Sequence, residues 1–170
     1  MRGLQERGAV AALNRVRVEV AFGIAVLVVV ADRITTAMAE HHLHHVVHVW
    51  GPFGLALSFN SGFAFSLFSG RAVLVTVLLS IGTLVLAAVV TRARTVTQVI
   101  GGGLLLGGAA GNVSERIVSD HHGQVADFIT LTHWPTFNVA DACITVGAIV
   151  VAASLLFGGP AAGVRAGATQ

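Results

Sequence analysis

Four stretches of this chain, 18–39, 72–90, 95–113 and 139–157, are apolar almost without a break. Each approaches the ~20 residues that a helix needs to cross a bilayer. Between the first and second the pattern changes twice. His41, His44, His45 and His48 recur at helical spacing in EHHLHHVVHVW, which predicts a short interfacial helix ending at Trp50. Residues 50–67 mix Phe, Ser, Gly and Asn in the manner of short strands and turns, which predicts a small β platform lying on the membrane surface. Residues 1–15 are polar and lack apolar periodicity, and 158–170 are rich in Gly and Ala, so both are expected to be flexible tails. The pattern predicts an all-α membrane protein: four transmembrane helices with a small β platform and a short interfacial helix, all in one membrane-embedded domain, 1–170. Four crossings leave little room for a soluble domain, so the core is the contact between helices.

Composition agrees. Of 170 residues, 55% are hydrophobic and 11% charged, with a mean hydropathy of +0.82, which is the balance of a membrane protein. The chain has no lysine, so its orientation is read from ten arginines. Arg2, Arg7, Arg15, Arg17, Arg92, Arg94 and Arg165 flank the spans on one side, against Arg33, Arg71 and Arg116 on the other. The positive-inside rule then puts both termini in the cytoplasm and turns the loops at 40–71 and 114–138 outward. The sequence pI near 10 is explained by this topology and by attraction to anionic lipid, with no nucleic acid implied. The first span is longer than a secretory apolar core, contains Asp32 and Arg33, and is not followed at once by a small-residue cleavage motif, so it reads as a retained helix. Cys143, the single cysteine, forms no internal disulfide and reads as a small buried hydrophobe.

The candidate chemistry is carboxylate chemistry. Asp127 follows a turn at 120–123 and is flanked by Val125, Ala126, Phe128 and Ile129, while Asp141 lies close to the start of the fourth span, where unpaired backbone N–H groups favour its charged form. Two such acids on one side of the membrane suggest a shared proton, the device by which aspartic proteases activate water. On spacing alone, a local cap at Asp141 and a surface-loop acid at Asp127 remain equally open. Asp32, inside the first span, is expensive unless Arg33, Arg116 or a polar network partners it. The absence of lysine excludes a Ser–Lys dyad, and neither HExxH nor GxSxG occurs. The rival signal is the histidine segment, including His42, whose spacing suits a metal such as Zn²⁺ but also a solvated face. Gly103, Gly107 and Gly111 at four-residue intervals predict a smooth helix face for close packing, which would fix Asn112 at the mouth of the bundle.

Five motifs in order, DRIT at 32–35, NSGFAF at 60–65, GGAAGNVSER at 107–116, VADF at 125–128 and FNVAD at 137–141, resemble lipoprotein signal peptidase, also called signal peptidase II, over about 18–157. The resemblance implies a membrane-embedded aspartic endopeptidase of the bacterial cytoplasmic membrane. Its active site would face outward, and it would remove the signal peptide from diacylglyceryl-modified prolipoproteins just before the lipidated cysteine. By matching positions it implies Asp127 and Asp141 as the catalytic pair, and Asp32, Asn60, Asn112, Arg116 and Asn138 as polar support for the pair and the substrate. Gly62 and Phe65 belong to the outer-loop motif. No metal or organic cofactor is implied, and the partners are the lipid-modified substrate and membrane lipid, with the protein acting as a monomer. The chain departs from the family at Glu115, where Asp is usual, and at Thr36, where Lys is common. Glu115 is expected to pair with Arg116 just beyond the third helix and tie its end to the loop bearing Asp127. A proton channel running through Asp32, Asp127 and Asp141 is a second class of reading; it requires acids near the bilayer midplane, whereas these lie near the outer ends of the spans.

Overall fold

The computed structural model describes residues 2–61 and 72–157. In chain order the elements are α1 (Arg2–His42), β1 (Val47–Trp50), β2 (Phe53–Asn60), α2 (Ala72–Val90), α3 (Val96–Val118), β3 (Val125–Leu131), β4 (Trp134–Phe137) and α4 (Val139–Phe157). All four helices are long and apolar enough to cross a membrane. Large apolar side chains such as Leu27, Leu84 and Phe157 stand open on their outer faces. In water these would be a liability; in a bilayer they are the lipid contact.

Helix α3 is the axle, packing against α1, α4 and α2. Its glycines explain why. A Cβ on Gly107 would lie 2.6 Å from Val28 Cβ and 2.8 Å from Ala25 O, and one on Gly103 would lie 2.8 Å from Ala21 O, so this stripe seats α1. A second stripe, Gly101 and Gly108, seats α4: a Cβ on Gly101 would meet Val150 at 2.9 Å, and one on Gly108 would run into Ala140 O. A small apolar core of Ala21, Ala25, Val90, Val99 and Leu106 fills the middle.

The expected platform is a four-stranded antiparallel sheet in the order β1-β2-β3-β4, of which β3 and β4 come from the second outer loop, where no strand was expected. Register pairs Ser58 with Asp127 and Asn60 with Val125, with an irregularity between Leu55 and Ser58. Three boundaries differ from the sequence reading. No separate interfacial helix exists at 41–50: α1 runs on to His42, the chain bends at His44 and His45, and His48 lies in β1. The β-branched Val46, Val47 and Val49 favour a pleated strand, and that preference outweighs the helical spacing of the histidines. Residues 2–15 continue α1 instead of forming a tail, because Gln5, Glu6, Arg7, Ala9, Ala11, Ala12 and Leu13 are good helix formers and no proline interrupts them. Helix α3 extends to Val118, so Glu115 and Arg116 lie inside it. The tail at 158–170 lies outside the described residues.

Candidate active site

The N-terminus of α4 organises the polar residues at the sheet end of the bundle. A helix start leaves backbone N–H groups without partners inside the helix. Asn138 supplies one acceptor: its Oδ1 accepts from Asp141 N at 2.8 Å, the geometry of an N-cap. Asp32 supplies another from α1, its Oδ1 accepting from Ala140 N at 2.8 Å. The acid in the first span is thus hydrogen-bonded by a helix start, and among the described residues no arginine forms an ion pair with it. Gly111 makes room for it, since a Cβ there would lie 3.2 Å from Asp32 Oδ2.

Asn112 of α3 closes a ring. Its Nδ2 donates to Asp141 Oδ1 at 2.8 Å, and its Oδ1 accepts from Asn138 Nδ2 at 3.1 Å. Asn138 is fully buried, so its amide is worth keeping only because both ends are used. Together the two asparagines fix one Asp141 oxygen at the helix N-terminus.

Asp127 comes from β3 and is 2% exposed. Asn60 lies on the same face of the neighbouring strand, two residues beyond the Ser58 that pairs with Asp127, and its Nδ2 donates to Asp127 Oδ2 at 3.0 Å. Burial pushes the Asp127 carboxyl up to about 7; the Asn60 hydrogen bond works against this, and the negative charge of Asp141 adds to it. Asp127 Oδ1 is buried with no hydrogen-bond partner. A carboxyl held near 7 under electrostatic pressure from a second carboxylate suits proton sharing. Beside them a cleft of about 550 Å³ opens between β4 and the start of α4, lined by Asn60, Asp141, Trp134, Phe137, Ile144 and Val146. Its walls are mostly apolar, with the amide and the carboxylate at one end.

Arg116 is buried and donates from NH1 to Gly123 O at 2.7 Å, anchoring the turn that leads into β3. Gly123 at φ 81° and His122 at φ 54° make that turn sharp. The expected pairing of Glu115 with Arg116 does not occur. Glu115 is fully buried and its Oε1 accepts from Ala126 N at 2.7 Å, so it holds the strand beside Asp127 through the backbone. Sequence carried a signal for this: Glu115 continues the 103, 107, 111 stripe by one further step of four, which turns it toward α1 and the interior, whereas the reading took it for a residue beyond the helix. Asp32, Asn112, Asn138 and Asp141 thus share one bonded network, with Asp127, hydrogen-bonded by Asn60, coupled to it electrostatically and Arg116 behind the turn. Gly62 and Phe65 lie outside the described residues.

The profile of the family described as signal peptidase II matches residues 24–157. The lipoprotein signal peptidase of Rhodococcus jostii is 36% identical over 155 residues, covering 86% of this chain and 77% of that one. Its counterpart in Solibacter usitatus is 34% identical over 152 residues, covering 80% and 90%. A solved bacterial membrane enzyme matches with a TM-score of 0.72 at 25% identity, covering 85% of this chain and 94% of that one.

Proposed function

The chain belongs to the signal peptidase II family, and on that premise we propose that it is an aspartic endopeptidase that cuts diacylglyceryl-modified bacterial prolipoproteins just before the lipidated cysteine. The observation that carries the aspartic reading is the pair itself: a buried Asp127 with its carboxyl raised to about 7, facing the field of an Asp141 fixed at a helix N-terminus. In this cycle Asp127 acts as the acid and Asp141 as the base. Water attacks the scissile carbonyl carbon as Asp141 takes one of its protons, while Asp127 donates its own to the carbonyl oxygen. Collapse of the tetrahedral intermediate breaks the C–N bond. The amine leaves with the proton from Asp141, and the carbonyl re-forms as Asp127 recovers its proton. General acid–base catalysis of this kind contributes roughly 10²–10⁴-fold.

The apolar cleft beside Asp141 suits the peptide and acyl parts of the substrate, whose burial contributes about 25 cal/mol per Å². Asp32, Asn112 and Asn138 position Asp141, Asn60 positions Asp127, and Arg116 holds the turn in front of β3. The protein works as a monomer in the cytoplasmic membrane, with both termini inside and the sheet end outside; the distribution of arginines supports this orientation. Mass spectrometry of the products tests the reading: a mature fragment whose N-terminus is the lipidated cysteine is expected, and cutting anywhere else would contradict it. Cleavage is expected to persist in EDTA, because both proton-transfer groups are carboxylates; loss in EDTA with rescue by Zn²⁺, in protein shown by thermal unfolding to stay folded without metal, would contradict the dyad.

A further inference from the structure

We propose that Glu40, Glu115 and His121 form a binding site for a divalent transition cation of the Zn²⁺ type, separate from the aspartate pair and without part in its proton transfers. The three come from the end of α1, the interior of α3 and the turn before β3, yet each offers a ligand atom within 4.8 Å of the others. His121 Nδ1 and Glu40 Oε1 already stand 3.7 Å apart. Metal–ligand distances of about 2.0–2.2 Å would draw the three donors inward by only roughly half an ångström. One imidazole and two carboxylates suit a borderline metal better than Mg²⁺ or Ca²⁺.

An independent observation comes from Glu115. It is fully buried, its Oε1 is fixed by Ala126 N, and its Oε2 has no hydrogen-bond partner. A carboxyl buried in this way is costly to ionise unless a cation answers it. Among the described residues no arginine forms an ion pair with it; the close contact there is His121 with Glu40. The adjoining pocket of about 260 Å³ is polar, lined by Thr36, Glu40, Ser119, Asp120 and His121, with Arg33 contributing the opposing charge. Thr36 Oγ1, in a residue 2% exposed, and Ser119 Oγ are also buried without partners, and hydroxyls so placed can accept hydrogen bonds from metal-bound water. The His121 ring is held against Phe59, with centroids 4.4 Å apart, which limits its freedom before a cation arrives. Bound there, a cation would tie α1, α3 and the turn together while leaving the Glu115–Ala126 contact intact.

Untagged full-length protein in detergent, stripped with chelator and titrated with ZnCl₂ by calorimetry, tests this. One Zn²⁺ per chain is expected, together with a rise in unfolding temperature. Glu40→Gln and His121→Gln should each weaken binding at least tenfold, while their metal-free unfolding temperatures stay at the parent value. Replacing His41, His42, His44, His45 and His48 together by Gln should leave one equivalent bound. Two results would overturn the proposal: no saturable binding, or binding that survives both single substitutions and disappears with the five histidines. Because the readout is metal binding, the outcome is independent of whether the protein cleaves prolipoprotein.

Discussion

Asp127 and Glu115 show how two neighbouring acids take opposite parts. Asp127 has a folded value of about 7 against its ordinary 3.8, so the folded state holds its proton more tightly than the unfolded chain does. Its contribution to stability is therefore fullest below about pH 4 and is lost as pH rises toward 7. Asp127→Asn is expected to raise the unfolding temperature relative to the parent at pH 8, with a gap that shrinks toward pH 5. The ceiling is about 4 kcal/mol, from roughly 1.4 kcal/mol per unit, and a gap equal at both pH values would contradict a buried carboxyl. Glu115 instead acts through an acceptor. Glu115→Ala leaves the buried Ala126 N–H unsatisfied and should cost about 1–3 kcal/mol, while Glu115→Gln keeps an acceptor and should cost less. Thermal unfolding of the two variants decides it; equal losses would contradict the backbone role. The motif order made the aspartates legible, but burial was not. Sequence shows two adjacent charges at 115 and 116, and only the phase of the helix says where each one points.

At the scale of elements, α3 meets both α1 and α4 through glycine faces, and its seam with α1 is close-packed. A Cβ at position 107 would enter the space of Val28 and Ala25, so Gly107→Ala is expected to destabilise by roughly 1–3 kcal/mol, the usual cost of overpacking. Gly82 of α2 has open space around it, and Gly82→Ala should leave the unfolding temperature unchanged or slightly higher. Equal losses in the two variants would contradict the stripe. Spacing of four revealed the face that meets α1. The face that meets α4 was hidden because Gly101 and Gly108 are two turns apart, and their significance depends on Val150, Ala140 and Ile144 far along the chain. The histidine segment misled for a related reason: period alone cannot weigh helix against strand when β-branched residues interleave, and the pairing of β1 with β2 is a non-local contact.

For the whole molecule, four spans were readable from hydropathy, because lipid imposes length and apolarity on any helix that crosses it, and turn chemistry showed the first half of the sheet, whereas β3 and β4 were read as loop. Orientation rests on arginine, and it can be probed directly. In a Cys143→Ala background, His45→Cys at the sheet end should react with a membrane-impermeant maleimide added to intact cells, whereas Arg92→Cys in the turn between α2 and α3 should react only after lysis. Both positions are exposed. The reverse pattern would invert the topology. What hydropathy could not supply was the meeting of the sheet with the start of α4, where the two aspartates come under one another's influence.

The most direct measurement is cleavage of a diacylglyceryl-modified prolipoprotein by the purified parent, Asp127→Asn and Asp141→Asn proteins, each first checked for folding by thermal unfolding. The parent is expected to release the signal peptide, and each variant to lose roughly 10²–10⁴-fold in rate, since each lacks one half of the proton exchange. Turnover near that of the parent in either folded variant would contradict the aspartate pair.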